Sequence, residues 1–231
     1  MAASTLAETM KTALFDLDGT LTDSRSGIVA SLRAALRELG HHPDPNEDLT
    51  WVVGPPMEQI VERLLAPYGD TRHTRAVALY RRHYAAGGMF DNAVYPGIPE
   101  ALAAFRTAGF TLFVATAKRT RFAKPILAHF GLADAFAGIY GTEDSGEFDR
   151  KADLIAHVLR QHTVDPVQAV MIGDRLHDIE AAHANGLPAI GVAWGYGGPG
   201  ELERVGADRI AATPAELLPL AEALLQSGRR A

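Results

Sequence analysis

The chain has 231 residues, 47% of them hydrophobic, and a formal net charge of -6 at pH 7. This length accommodates one large domain or a domain with a sizeable insertion. The acidic balance argues against broad binding to nucleic acid backbones, but it allows a small anionic substrate beside a metal ion. The sequence contains no cysteine, which excludes a disulfide framework, a zinc–thiolate site and a thiol nucleophile.

The sequence shows no signal for export or membrane insertion. Met1-Ala2-Ala3-Ser4 is not a basic start followed by an apolar core, and no run of about 18 apolar residues occurs. We therefore expect no signal peptide, no transmembrane helix and a cytoplasmic location. The C-terminal Gly228-Arg229-Arg230 is expected to be a frayed end.

An apolar run near the N-terminus ends in two carboxylates. Residues 12–17 suit a β-strand that Gly19 can end. Because side chains alternate along a strand, Asp16 and Asp18 are expected to project together at its C-terminal edge, where open α/β sheets bind ligands. Two like charges at this spacing are costly unless a cation or a shared proton relieves them, so the pair predicts a metal-assisted site.

The segment after this strand is expected to be helical. In residues 24–39, apolar side chains recur at helical spacing, and further helices are predicted over residues 56–65 and 71–86. The dipeptide Gly87-Gly88 ends the last of them. Residues 24–90 therefore contain no predicted strand.

Strands and helices alternate from residue 95 onward. Helices are predicted over residues 99–108, 119–130, 151–161, 176–184 and 214–225, and strands over residues 110–115, 136–140, 169–172, 189–192 and 207–211. This alternation indicates an α/β fold, a doubly wound parallel sheet covered by helices on both faces. The first strand belongs to the same sheet, so residues 24–90 are interpreted as a helical insertion after it.

Polar clusters follow the proposed strands at four places. They are the Asp16 and Asp18 pair, Thr116 after a strand, Lys151 at the start of a helix, and the segment Gly173-Asp174-Arg175-Leu176-His177-Asp178. A doubly wound fold gathers such strand ends at one crevice. Carboxylates, a hydroxyl and an ammonium group together suit phosphoryl chemistry with Mg²⁺.

These motifs resemble the haloacid dehalogenase (HAD) superfamily, close to its phosphoglycolate phosphatase-like branch. The resemblance rests on Asp16-Leu17-Asp18-Gly19-Thr20-Leu21, on Thr116, on Lys151, and on Gly173-Asp174 with Asp178. It implies a Rossmann-like core domain of residues 1–23 and 91–231. It also implies that residues 24–90 form a helical cap domain, which closes over the site.

The resemblance implies roles for four catalytic residues. Asp16 would be the nucleophile that forms an aspartyl-phosphate. Asp18 would protonate the leaving alcohol and then deprotonate the attacking water. Thr116 would donate to a phosphate oxygen, and Lys151 would balance charge on the nucleophile and the phosphoryl group.

The resemblance also implies the groups that bind metal and substrate. Mg²⁺ would be held by Asp16, the backbone carbonyl of Asp18, and Asp174, with Asp178 binding directly or through water. Backbone N–H groups around Leu17 and Ala117 would contact the phosphate. The remaining residues predicted to contact substrate are Gly19, Thr20 and Gly54.

The expected function is Mg²⁺-dependent hydrolysis of a small phosphorylated metabolite, with phosphoglycolate as the substrate that the resemblance implies. A 5'-nucleotidase or a sugar-phosphate phosphatase is the alternative. A non-enzymatic binding protein that retains the fold is a third hypothesis. A phosphoglucomutase is disfavoured by Thr20, and a dehalogenase is disfavoured because carbon–halogen displacement does not need Asp18. No nucleic acid or membrane partner is expected.

Three further patterns are interpreted as structural. The segment Gly195-Tyr196-Gly197-Gly198-Pro199-Gly200 matches G-x-G-x-x-G, but it comes late in the chain and contains a proline, so a flexible loop is expected. His177 and His183 are expected to be surface residues rather than metal ligands. A basic set in the insertion is interpreted as a solvated helix face in preference to a site that steers phosphate: Arg72, Arg75, Arg81 and Arg82.

Overall fold

The computed structural model describes residues 10–228. The start of the chain, where no signal peptide is predicted, and the predicted frayed end at Arg229 and Arg230 lie outside the described residues. Within residues 10–228, no helix is both long enough and apolar enough to cross a membrane.

The described residues form strands β1 (Thr12–Phe15), β2 (Thr22–Asp23), β3 (Ala93–Val94), β4 (Thr111–Arg119), β5 (Gly138–Thr142), β6 (Ala169–Gly173), β7 (Ala189–Val192) and β8 (Arg209–Ala211). The helices are α1 (Arg25–Glu38), α2 (Met57–Leu65), α3 (His73–Ala86), α4 (Ile98–Thr107), α5 (Thr120–His129), α6 (Lys151–Gln161), α7 (Leu176–His183), α8 (Glu201–Arg204) and α9 (Leu217–Gly228). Short 3-10 turns lie at Thr50–Val52, Ala66–Tyr68, Gly88–Phe90, Ala133–Ala135, Pro166–Gln168 and Pro214–Glu216.

Six strands form one parallel sheet in the order β5-β4-β1-β6-β7-β8. β1 lies inside the sheet, with Thr12 aligned to Thr111 of β4 on one side and to Ala169 of β6 on the other. The chain progresses outward from β1 in both directions, so the switch point of the sheet lies beside β1. The predicted doubly wound α/β fold is confirmed.

Alternation along β1 explains why helices cover both faces of the sheet. Ala13 and Phe15 belong to one apolar cluster, which includes residues of α4, α5 and α9. Leu14 belongs to a second cluster, with residues of α6 and α7. Successive side chains therefore supply the cores of opposite faces, as expected for a buried parallel strand.

Helices α1, α2 and α3 lie between β2 and β3. These two short strands pair antiparallel, with Thr22 opposite Val94 and Asp23 opposite Ala93. The chain thus leaves the sheet region and returns to it at neighbouring positions. The helices match the predicted ones within two residues, whereas β2 and β3 were not predicted.

Candidate active site

The carboxylates predicted on the first strand lie at the carboxyl edge of the sheet. The backbone N–H of Asp16 donates to the carbonyl of Ile172 at 2.9 Å, which continues the pairing of β1 with β6. Asp174 directly follows β6. Because β1 and β6 are parallel neighbours, Asp16 and Asp174 reach the same edge.

Three buried carboxylates converge at this edge. Asp16, Asp174 and Asp178 each place one oxygen so that the three atoms lie within 4.8 Å of one another. Asp178 is held in the first turn of α7, where its Oδ2 accepts the backbone N–H of Arg175 at 3.0 Å. Burial raises the pKa of Asp174, and the charges of Asp178 and Asp16 raise it further. A bound cation would relieve this concentration of negative charge.

A buried ammonium group offsets part of the charge. Lys151 is the first residue of α6, and its Nζ donates to Asp16 Oδ1 at 2.7 Å and contacts Asp178 Oδ1. Burial lowers the pKa of Lys151, but the charges of Asp16 and Asp178 outweigh burial and raise the pKa above its ordinary value. Lys151 therefore stays protonated, and one cation faces three carboxylates.

Two residues predicted to bind substrate enclose Asp174 instead. Gly19 has a φ of +87°, and a Cβ at this position would collide with the Asp174 carboxylate. Thr20 is fully buried, and its hydroxyl donates to Asp174 Oδ1 at 3.4 Å. Neither residue lines the cavity described below. The turn after β1 thus places both residues beside Asp174, and their predicted contact with substrate stays a prediction.

Leu17 begins this turn and is also fully buried. Its carbonyl accepts the backbone N–H of Leu21 at 2.9 Å and that of Thr22 at 3.1 Å. The Leu17 side chain therefore belongs to the core. The predicted contact of its backbone N–H with phosphate stays a prediction.

The glycine-rich segment of residues 195–200 is packed rather than loose. The backbone N–H of Tyr196 donates to Asp174 Oδ2 at 2.8 Å, and a Cβ at Gly195 would collide with Asp174. The Tyr196 hydroxyl donates to Asp23 Oδ1 at 2.7 Å. The expected flexible loop is thus a third support for Asp174, because only glycine lets the backbone approach that carboxylate.

Asp18 lies apart from the carboxylate cluster. Its Oδ2 pairs with Nζ of Lys118 at 2.6 Å. Lys118 was not predicted as a site residue, although it follows Thr116 at the same two-residue spacing that separates Asp18 from Asp16. The contribution of the Asp18 backbone carbonyl to metal binding stays a prediction.

Thr116 and Ala117 border the cluster from β4. Thr116 is buried, and its hydroxyl oxygen accepts the backbone N–H of Lys118 at 3.2 Å. Because β4 is the other neighbour of β1, the Thr116 hydroxyl lies at the same edge as Asp16. Both residues line the cavity, as predicted for groups that contact a phosphate.

A cavity of about 650 Å³ lies between this edge and helices α2 and α3. Gly54, which was predicted to face the crevice, lines it. Gly54 has a φ of +108°, and a Cβ there would lie 2.5 Å from Nη1 of Arg175. Arg175 Nη1 donates to the Val53 carbonyl at 2.6 Å, and its Nε donates to Glu201 Oε1 at 2.8 Å. Arg175 therefore joins the helical segment, residues 24–90, to the core, the part of the chain that contains the sheet. Sequence reasoning missed this role.

The basic set in the helical segment divides into two groups. Arg72 and Arg82 are exposed and pair with Asp70 and Glu38, as expected of a solvated face. Arg81 instead lines the cavity, with a side chain only 28% exposed.

Burial lowers the pKa of Arg81, and the neighbouring charge of Arg119 lowers it further. Arg119 lines the same cavity. Each arginine also has an acidic partner, Glu58 for Arg81 at 3.3 Å and Asp144 for Arg119 at 3.3 Å. Sequence reasoning did not distinguish this cavity-lining pair of arginines from the solvated face of α3.

The two histidines take no part in the carboxylate cluster among residues 10–228. His183 is exposed and pairs with Asp208 Oδ2 at 2.9 Å. His177 is exposed but lines the cavity. The all-oxygen cluster that remains suits a hard cation such as Mg²⁺.

Comparison with known proteins identifies the family. The family described as "Haloacid dehalogenase-like hydrolase" matches residues 13–192. The "Tyrosine-protein kinase PtkA" of Mycobacterium tuberculosis is 43% identical over 196 residues, which cover 84% of this chain and 66% of that protein. This chain thus spans just under two thirds of the length of PtkA.

Two phosphatase-named relatives are matched over most of their length. The "5'-nucleotidase" of Pseudomonas aeruginosa is 41% identical over 191 residues, 82% of this chain and 85% of that protein. The "Phosphoglycolate phosphatase, plasmid" of Cupriavidus necator is 33% identical over 222 residues, 90% of this chain and 95% of that protein.

A solved structure agrees with these relatives. The crystal structure of a predicted phosphatase from Clostridium acetobutylicum is 37% identical, with a TM-score of 0.82, and the match covers 94% of this chain and 99% of that one. The sheet order, the buried carboxylates at its switch point and these matches lead to one conclusion: the chain belongs to the haloacid dehalogenase-like hydrolase family.

Proposed function

We propose that the protein is a Mg²⁺-dependent phosphatase that hydrolyses a small phosphorylated metabolite through an aspartyl-phosphate on Asp16. The observation that carries this proposal is the placement of Asp16. Its carboxylate lies at the cavity floor, bonded to Lys151 at 2.7 Å and grouped with Asp174 and Asp178. A nucleophile, a fixed cation and a cluster of oxygen ligands are therefore assembled at one point.

The donor set fits Mg²⁺. Asp16 and Asp174 would hold the ion together with the backbone carbonyl of Asp18, and Asp178 would support it directly or through water. The cluster is acidic and buried, and the pKa values of Asp174 and Asp178 are raised by burial and by neighbouring charge, which a divalent ion would compensate. When bound, the ion would neutralise developing charge on the phosphoryl oxygens.

The protein's own groups account for the two steps of hydrolysis. In the first step, an Asp16 oxygen forms a bond to phosphorus as the bond between phosphorus and the leaving oxygen breaks. A proton moves from Asp18 to the leaving oxygen. In the second, a water oxygen forms a bond to phosphorus and Asp18 takes the proton of that water, while the bond between the Asp16 oxygen and phosphorus breaks; inorganic phosphate leaves and the Asp16 carboxylate is regenerated. Lys151 and the Thr116 hydroxyl stabilise the negative charge of the phosphoryl oxygens.

The substrate is proposed to be a small phosphomonoester of the phosphoglycolate type. Arg81 and Arg119 line the cavity, paired with Glu58 and Asp144, and would exchange these partners for a second negative group of the substrate, such as a carboxylate. The relative named phosphoglycolate phosphatase supports this choice. Residues 24–90 would act as the cap that excludes water and contacts the part of the substrate beyond the phosphate.

A 5'-nucleotidase or sugar-phosphate phosphatase is the second candidate. The relative named 5'-nucleotidase is more similar to this chain than the phosphoglycolate phosphatase relative, at 41% against 33% identity. The cavity of about 650 Å³ is also large enough for a substrate bigger than phosphoglycolate. The two candidates differ in whether the leaving group itself carries a charge.

Phosphate release from a panel of phosphorylated metabolites tests the proposal. We expect activity that EDTA abolishes and added Mg²⁺ restores, with phosphoglycolate, adenosine 5'-monophosphate and a sugar phosphate as the deciding arms. Asp16→Asn is expected to lower turnover at least about 10⁴-fold, because an amide cannot act as the nucleophile. Asp153→Asn is a suitable control, since Asp153 lies on the exposed side of α6.

Two outcomes would overturn parts of this proposal. If wild-type protein releases no phosphate from any substrate with Mg²⁺, the protein is a binding protein that retains the fold. If Asp16→Asn keeps substantial activity, the nucleophile is misassigned.

Incubation with ATP and a tyrosine-containing protein would show whether the transfer activity named for PtkA extends to this shorter chain.

A further inference from the structure

A second buried lysine contacts the site without belonging to the carboxylate cluster. Lys118 lies near the end of β4, where the pairing register with β5 shifts between Ala115 and Arg119. Such an irregularity redirects side chains from the regular alternation of a strand. The Lys118 side chain is only 6% exposed, and its Nζ lies 2.6 Å from Asp18 Oδ2.

The same ammonium group is bonded to the helical segment. Lys118 Nζ donates to the hydroxyl of Tyr84 at 2.8 Å and lies 4.7 Å from the centre of the Tyr84 ring. Tyr84 lies on α3 and is 1% exposed. A chain of two short contacts therefore runs from α3 through Lys118 to Asp18.

Tyr84 is itself held by its neighbours. Its ring packs edge-on against Phe122 of α5, with ring centres 5.3 Å apart. The ring also stacks on Tyr80, one helical turn earlier, at 5.4 Å. Because Phe122 belongs to the core and Tyr84 to the helical segment, the Tyr84 hydroxyl reaches Lys118 only when α3 is docked on the core.

The two oxygens of Asp18 have different surroundings. Oδ2 is held by Lys118, whereas Oδ1 is buried and has no hydrogen-bond partner among the described residues. Holding one oxygen restrains rotation of the carboxyl group about its Cβ–Cγ bond. The other oxygen stays without a competing partner, which suits a group that must exchange a proton with a substrate.

We propose that Lys118 and Tyr84 are positioning residues that orient Asp18 for proton transfer, and that Tyr84 makes this orientation depend on the docking of α3. This inference rests on the proposed phosphatase function. Lys118 neither gives nor takes the proton. The proton passes from the Asp18 carboxyl group to the leaving oxygen as the phosphorus–oxygen bond breaks. The ammonium group stabilises the Asp18 carboxylate that remains.

The dependence of rate on the leaving group separates this role from a structural one. The nitrophenolate released from p-nitrophenyl phosphate leaves without a proton, whereas the alkoxide of phosphoglycolate or adenosine 5'-monophosphate needs one. Tyr84→Phe keeps the ring contacts and removes only the hydroxyl. We expect it to lower kcat/KM on the better alkyl substrate about threefold to tenfold and to leave kcat/KM on p-nitrophenyl phosphate nearly unchanged. The ratio kcat/KM is the deciding quantity because it reports the first step, whereas the second step uses Asp18 whichever substrate is supplied.

Lys118→Met is expected to act more strongly in the same direction, lowering kcat/KM on the alkyl substrate about a hundredfold. Lys118→Arg, which keeps the charge, should restore part of that loss. If Lys118→Met fails to fold, as judged by circular dichroism and thermal unfolding, Tyr84→Phe and Lys118→Arg still decide the question.

Tyr140→Phe is the matched control. This substitution also removes a hydrogen-bonded hydroxyl, since the Tyr140 hydroxyl oxygen lies 2.6 Å from His162 Nε2. Tyr140, however, does not line the cavity. We expect its ratio of activities on the two substrates to equal that of wild type. Equal losses of kcat/KM on both substrates in Tyr84→Phe and Lys118→Met, or no loss on either, would overturn the positioning role. A wild-type protein inactive on both substrates would overturn the proposed function and this role with it.

Discussion

Two glycines with nearly the same backbone conformation differ in what lies beside them. Gly19 has a φ of +87° and Gly40 a φ of +92°, so either would be strained by a side chain. A Cβ at Gly40 would meet no atom within 4 Å, whereas one at Gly19 would collide with the Asp174 carboxylate. A side chain at either position would therefore strain the backbone, but only a side chain at Gly19 would also collide with a residue of the proposed metal site.

Gly19→Ala is therefore expected to weaken Mg²⁺ binding as well as stability. Displacing Asp174 should raise the Mg²⁺ concentration that gives half-maximal activity about tenfold to a hundredfold. The Gly40→Ala variant should lose stability alone. A Mg²⁺ titration of activity, together with thermal unfolding of both variants, measures the difference. An unchanged Mg²⁺ requirement in Gly19→Ala would show that Asp174 does not hold the ion.

Residues that sit at strand ends could be predicted from the sequence. Asp16 and Asp174 each follow an apolar strand, and Thr116 follows the apolar part of β4; parallel strands bring such positions to one edge. Arg81 could not be separated from Arg72 and its neighbours, because charge on a helix does not reveal which side faces a cavity. Lys118 lies beyond an irregularity in β4, where strand alternation no longer determines direction.

At the level of elements, α3 contributes to the site through one face. Tyr84 and Arg81 approach the cavity, while Arg75 on the same helix is exposed. Arg81 is paired with Glu58 at 3.3 Å, and that carboxylate is 65% exposed. The ion pair is therefore open to exchange with a charged substrate.

Arg81→Ala should discriminate between substrates. Loss of a charged hydrogen bond is expected to raise KM for phosphoglycolate about tenfold to a hundredfold, while KM for p-nitrophenyl phosphate, which has no second acidic group, changes little. Steady-state kinetics on both substrates measures the effect, with Arg75→Ala as the control from the same helix. A similar rise in KM for both substrates would argue against a site for a second negative group.

Most elements could be predicted to within about two residues, because their apolar periodicity is strong. α6 and β7 have the predicted bounds, whereas β4 continues to Arg119 and the last helix begins only at Leu217. β2, β3 and α8 were missed, since a strand of two residues or a helix of four spans only about one period of its pattern, and a pattern must repeat to be recognised. The antiparallel pairing of β2 with β3 depends on the return of the chain after α3, which local sequence does not encode.

At the scale of the whole molecule, an ion bound at the carboxylate cluster would couple ion binding to stability. A ligand that binds only the folded protein stabilises it, by about 2.7 kcal/mol at a hundred times its Kd. We expect Mg²⁺ to raise the Tm of wild type by several degrees and to have little effect on Asp174→Asn. Asp153→Asn, which removes a charge outside the cluster, should keep the wild-type response. Equal responses in all three proteins would show that Mg²⁺ acts through general charge screening.

The contact between Arg175 and the helical segment ends on a backbone carbonyl, that of Val53, and not on a side chain. A carbonyl is present whatever residue occupies the position, so substitutions in the segment leave this acceptor in place. Only Gly54 is restricted, because a larger residue would displace the guanidinium group. The segment can therefore change its side chains during evolution, and under the proposed function its substrate preference with them, without losing this attachment to Arg175.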